Sequence, residues 1–315
     1  MSPNQTLGPT TLAVAPSFAF VISPRDFEQL PFEIADGHVL RRATDAEIVR
    51  IKSALKWVLG APLMPYVNYE HDSIRGRLPR EQWRYTVVSQ RPDDDISRLE
   101  QCANLLSPSL DLGPRFLSSD IGEALVQHGG RIFAFFTSPE RVRAKTLLIP
   151  STQLCALRSY FAWAKDRLSA DSFVLKGLEA FDEIRVLPSA SDAIVLAQFG
   201  IIESLVTHVP EPKDTLDSVR RQLRGKLKLL SKRFVERVDP SRFFDTSLLP
   251  SDEKLWNKLY DCRSRIAHGG TPDFQKEFKA LAGYAQVDSF LREVCRLLLI
   301  QGISDESFLS DLRDC

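Results

Sequence analysis

The chain has 315 residues, 43% hydrophobic and 26% charged, which suits a globular protein with room for two domains. Its 41 basic residues balance 41 acidic ones, so no global field recruits a polyanion, and any such partner must meet a local patch. The five cysteines (Cys102, Cys155, Cys262, Cys295 and Cys315) contain no C-x-x-C pair, which argues for reduced thiols and against a disulfide framework or a zinc centre.

At the N-terminus, MSPNQTLGPTT lacks the basic start of a signal peptide, and the apolar stretch behind it is broken by Pro16. Nothing further along approaches the ~18 apolar residues of a membrane span, so the expectation is a soluble, cytoplasmic protein with no membrane partner. Strand signals follow at Ser17–Ser23, His38–Arg42, Trp83–Ser89, Arg131–Thr137 and Thr146–Ile149. Between them Thr44-Asp45-Ala46-Glu47 forms a capping box, and Ile48, Ile51, Leu55 and Val58 continue it at helical spacing. A second helix is predicted from the acids at 93–95, carrying Ile96, Leu99 and Leu106. Residues 1–148 therefore read as an α+β domain, a candidate sensor or regulatory module.

From Ser151 onward the strand signals stop. About six helices are predicted, separated by turn-forming stretches at 169–172, 187–191, 210–214, 239–250 and 269–272, ahead of an acidic tail expected to fray. Residues 149–315 read as an all-α bundle. In its most basic stretch, 216–237, Val219, Leu223, Leu227, Leu230 and Phe234 form the inward stripe. Arg220, Arg221, Arg224, Lys228 and Lys232 point largely outward, either as RNA-backbone contacts or as a solvated face.

The segment that suggests chemistry is YDCRSRIAHGG at 260–270. Ser251 caps its helix, Asp252 and Glu253 fill the first turn, and Leu255, Leu259, Cys262 and Ile266 make one apolar stripe. Gly269-Gly270 and Pro272 stop it. An Arg followed by a His at this distance has little specificity, and cations at a helix C-terminus are explained by the dipole alone. On an ideal helix Arg263 and His268 do not share a face; they converge only if the terminus distorts or a second copy packs across it. Glu203, in an otherwise apolar helix, needs a partner, either a bundle arginine or this motif.

LWNKLYDCRSRIAHGG resembles the motif helix of the Apea-like branch of the HEPN superfamily, in which a Tyr, Arg-Ser, an apolar pair and His-Gly recur. Here these are Tyr260, Arg263-Ser264, Ile266-Ala267 and His268-Gly269. The upstream run VLKGLEAFDEIRVLPSASDAIVLAQFGIIESLVTH is similar to the preceding helices of that family, and the resemblance covers about 150–300. It implies an all-α HEPN bundle and a homodimer through it. It also implies a metal-independent, cofactor-free ribonuclease cutting RNA (tRNA among the candidates) by 2′-hydroxyl attack, as a defence or growth-arrest toxin. His268 would be the acid/base, Arg263 the phosphate ligand, and Ser264 a polar helper, with Glu203 beside them. The alternative is a non-catalytic RNA-binding or protein-interaction module. His71-Asp72 lacks a second histidine to complete a metal site, and His38, His128 and His208 have no partner in the sequence. Walker, dinucleotide, nucleophile-elbow and zinc motifs are missing.

Overall fold

The computed structural model describes residues 17–22, 25–59, 85–90, 96–119, 122–126, 147–208, 218–230, 232–234, 236–249 and 251–315. Two units emerge, one of Met1–Ile96 with Leu110–Ser151, the other of Ser97–Ser109 with Thr152–Cys315.

The first unit is built on an antiparallel sheet. Its strands are β1 (Ser17–Val21), β3 (Phe32–Ala35), β4 (His38–Arg42), β5 (Thr86–Gln90), β6 (Leu112–Ser119) and β7 (Gly122–Val126), in the order β3-β4-β5-β1-β6-β7. A parallel pair joins β2 (Arg25–Phe27) to β8 (Leu147–Ile149). All five β1 residues are buried, as expected of a central strand covered on both faces, which is why SFAFV is apolar in all but Ser17. Helix α1 (Asp45–Leu59) opens on the predicted capping box: Thr44 N donates to Glu47 Oε2 at 2.8 Å and Glu47 N to Thr44 Oγ1 at 3.3 Å. Arg41 then grips Glu47 with both prongs, at 2.7 and 2.8 Å. Burial pushes the Glu47 carboxyl up, but the Arg41 fork and the Thr44 N–H outweigh it and hold the group below its usual range.

Strands β2, β3, β6 and β7 are not legible as such. The β6 sequence, LGPRFLSS, contains Gly and Pro, which argue against a strand. Its pairing with β1 shifts register between Ala19 and Val21, and a Cβ at Gly113 would come within 2.1 Å of Ile22 Cγ1, so any side chain there would have to displace Ile22. The strand predicted at Arg131–Thr137 lies outside the described residues, as do His71, Asp72 and His128.

In the second unit the described residues from 151 onward form seven α-helices: α3 (Ser151–Arg167), α4 (Phe173–Glu183), α5 (Asp192–Val206), α6 (Val219–Leu230), α7 (Asp252–Ala267), α8 (Tyr284–Ser304) and α9 (Glu306–Asp314). The central pair is α5 with α8. The first is apolar nearly all round, the second buries most of its length, and α4, α7 and α9 pack on them. The acidic tail is an ordered helix, because Asp305 caps the Phe308 N–H at 3.1 Å and Leu309 is buried.

This unit also takes in 97–109, which the sequence reading assigns to the α+β half. Helix α2 (Ile96–Ala103) buries Leu99 and Cys102, and Leu105 and Leu106 follow it into the core. Polar groups complete the seat. Asn104 Nδ2 donates to Asp182 Oδ1 at 2.5 Å, Arg185 donates to Asn104 Oδ1, and Arg296 Nη1 donates to Leu105 O at 3.1 Å. Burial lowers the Arg185 guanidinium to about 10.

Candidate functional site

The motif helix forms as its caps and stripe require. Ser251 Oγ accepts from Lys254 N at 3.3 Å, and Leu255, Leu259, Cys262 and Ile266 are the buried residues of α7. The helix ends in a Schellman pair, with Gly270 N bonded to Arg265 O and Gly269 N to Ile266 O, each at 2.9 Å. Gly269 sits at φ +76°, in the left-handed region that only glycine adopts freely. His268 is the C-cap residue, its N–H bonded to Ser264 O at 3.1 Å and its imidazole exposed. Burial pushes the thiol of Cys262, inside the motif, up to about 12, so it is a packing group and not a nucleophile.

Arg263 faces α5. Its Nη2 donates to Glu203 Oε2 at 3.2 Å, and its guanidinium lies 5.7 Å from the centroid of the Tyr260 ring, one turn back. The pair is single-pronged: Glu203 Oε1 and Arg263 Nε are buried with no hydrogen-bond partner among the described residues. Burial raises the Glu203 carboxyl above its usual range, against the pull of Arg263. A second guanidinium converges on the same ring, that of Arg220 from α6, 5.8 Å from the centroid. Arg220 Nε donates to Asn257 Oδ1 at 3.2 Å, and its Nη1 meets Asp261 Oδ1 at 3.1 Å. One turn along, Arg224 Nη1 meets Glu253 Oε1 at 2.8 Å, so α6 runs antiparallel to α7.

Of the predicted residues, then, the structure joins Arg263, Glu203 and Arg220 around Tyr260. It does not join Arg263 to His268: five residues at about 100° each leave them about 140° apart on the helix. Among the described residues, neither the Ser264 hydroxyl nor the His268 imidazole has a hydrogen-bond partner, and Ser264 is half-buried. Comparison with family models, curated proteins and solved structures returned no match. The site is therefore described by its own residues alone.

Arg221, Lys228 and Lys232 are exposed along or just beyond α6, while Arg220 and Arg224 are held by α7 carboxylates. The sequence reading passes over Lys226, which is buried with its ammonium 2.8 Å from Arg313 O. His208 Nδ1 reaches the same carbonyl at 2.8 Å, so this histidine closes the last turn of α9. A groove of about 1340 Å³, lined by residues such as Phe173, Lys176, Gly200, Ser204 and Arg313, contains none of the motif residues. The described residues hold no group of three His, Cys, Asp or Glu side chains suited to a metal ion, and no helix long and apolar enough to cross a membrane. Asn257, Asp261 and the Tyr260 ring are the site residues whose contacts the sequence reading does not foresee. The hint lay in helical spacing: Tyr260 precedes Arg263 by one turn, and Asn257 precedes Asp261 by one turn.

Proposed function

We propose that this protein is a HEPN-type endoribonuclease that cuts RNA by attack of the 2′-hydroxyl, acting as a defence or growth-arrest effector in a homodimer. The observation that carries the proposal is the state of Arg263. Its guanidinium is positioned by Glu203 and Tyr260 yet keeps Nη1 without an acceptor, at the same helix end where the His268 imidazole stands exposed. A fixed guanidinium with a spare donor nitrogen suits a phosphate oxygen, and an exposed imidazole suits proton transfer near neutral pH.

In this chemistry one imidazole takes the proton of the 2′-hydroxyl and the 2′-oxygen bonds to phosphorus. The bond from phosphorus to the 5′-oxygen breaks, and that oxygen takes a proton from a second imidazole. The products are a 2′,3′-cyclic phosphate and a 5′-hydroxyl. Arg263 stabilises the charge that grows on the phosphoryl oxygens. Since Arg263 and His268 point apart on one helix, a second copy supplies the facing pair.

The test is purified protein with tRNA or total RNA in EDTA, beside His268→Ala and Arg263→Ala. Wild type should cleave, and each variant should lose about 10²-fold or more. Intact RNA at every concentration, and in the presence of cell extract, would refute catalysis. That outcome would favour a binding module instead, a reading supported by the carboxylates that already neutralise Arg220, Arg224 and Arg263.

A further inference from the structure

The geometry points to Arg220 as a second phosphate ligand: it gathers with Arg263 at the Tyr260 ring, and the three form a subsite for the phosphates of one RNA strand. This rests on the RNA-directed reading of the site and extends it to a residue outside the motif helix.

Three observations converge. Two guanidinium groups from different helices lie 5.7 and 5.8 Å from one ring centroid, so a single strand can meet both. Each is oriented from behind: Arg263 by Glu203 through Nη2, and Arg220 by Asn257 and Asp261 through Nε and Nη1. A guanidinium carries five donor hydrogens, so this bonding leaves Nη1 of Arg263 and Nη2 of Arg220 with no acceptor among the described residues. The carboxylates therefore act as splints, fixing each planar group while one terminal nitrogen keeps its donors for a phosphate oxygen. Tyr260 is half-exposed and its hydroxyl makes no hydrogen bond among the described residues, so both the ring and its polar tip can meet a ligand. The ring holds both guanidinium groups by cation–π contact and so keeps them side by side at one place on the surface.

Arg224, one turn along α6, lacks this arrangement. Arg224 pairs with the exposed Glu253 at the far end of α7, away from any ring. It serves as the internal control.

The experiment is fluorescence anisotropy of a labelled 2′-O-methyl single-stranded oligonucleotide, which cannot be cut by 2′-hydroxyl attack, titrated with full-length protein in EDTA across a range of salt. Removing one phosphate contact from a single strand lowers the log–log salt slope by about 0.7. Arg220→Ala and Arg263→Ala should each show that loss, Arg220→Lys should restore the slope, and Arg224→Ala should leave it unchanged. Tyr260→Leu, which removes the ring both guanidinium groups rest on, should weaken binding about threefold with the slope intact, and Tyr260→Phe much less. Should Arg220→Ala fail to fold, Arg220→Gln replaces it. An unchanged slope in Arg220→Ala, affinity unaltered in Tyr260→Leu, or no binding by wild type at low salt overturns the proposal. Its fate is separate from that of catalysis. Binding with these effects but no cleavage of natural RNA removes the nuclease and keeps the subsite; cleavage with Arg220→Ala indistinguishable from wild type does the reverse.

Discussion

Cutting the Arg263–Glu203 pair from its two ends should have very unequal effects. The nitrogen and oxygen are 3.2 Å apart, and the side chains are 30% and 19% exposed. Unit charges about 4 Å apart attract by about 4 kcal/mol at an effective dielectric of about 20. Even so, burial raises the Glu203 carboxyl above its usual range, so desolvating the carboxylate costs more than Arg263 returns. Glu203→Gln keeps the shape, removes the desolvated charge and leaves Arg263 partly solvated; its cost should be about 1 kcal/mol or less. Arg263→Ala strands the carboxylate. Full burial would make that cost about 3–5 kcal/mol, and half-burial reduces it to about 2. The sign with pH follows from the direction of the shift. A carboxyl with a raised folded pKa contributes its stability below the unfolded value of about 4.3 and loses it as pH rises through the folded value. Without Arg263 the folded value rises further, so the penalty should shrink as pH falls from 7 to 5. Urea midpoints of wild type, both single variants and the double variant at pH 7 and pH 5 measure this. Equal costs for the two single variants, or an Arg263→Ala penalty that grows at pH 5, would refute the reasoning.

Gly269→Ala should destabilise the protein by about 1–2 kcal/mol, because a Cβ is disfavoured at φ +76°, and Gly269→Asn should cost less; chemical denaturation compares them. A fragment starting at residue 149 should lose cooperative unfolding in circular dichroism. It removes Leu99, Cys102, Leu105 and Leu106 from the helical core and takes acceptors from Arg185 and Arg296, so a cooperative melt matching that of the full chain would contradict the seat described for 97–109. Thiol titration of the native chain should show two fast cysteines, Cys155 and Cys315, and three that react only on unfolding, because Cys102, Cys262 and Cys295 are buried; fast modification of Cys262 would show the motif helix is not packed as described.

By itself the sequence determined what is settled within a few turns of backbone. The bounds of α7, its buried stripe at 255, 259, 262 and 266, its glycine stop and the Thr44–Glu47 box were all legible, since caps and helical periodicity act between residues three or four apart. Glu203 could be read as needing a partner, because a carboxyl in an apolar helix must find one, but which partner depended on how α5 and α7 pack. Only the tertiary structure decided that Arg220 and Arg263 share one ring, that Arg220 and Arg224 are matched by carboxylates, and that His268 stands apart from Arg263 within one chain. It also decided that 97–109 belongs with helices that begin more than forty residues later. Such pairings join side chains distant in sequence, and their energies come from burial and charge that exist only after the helices have packed.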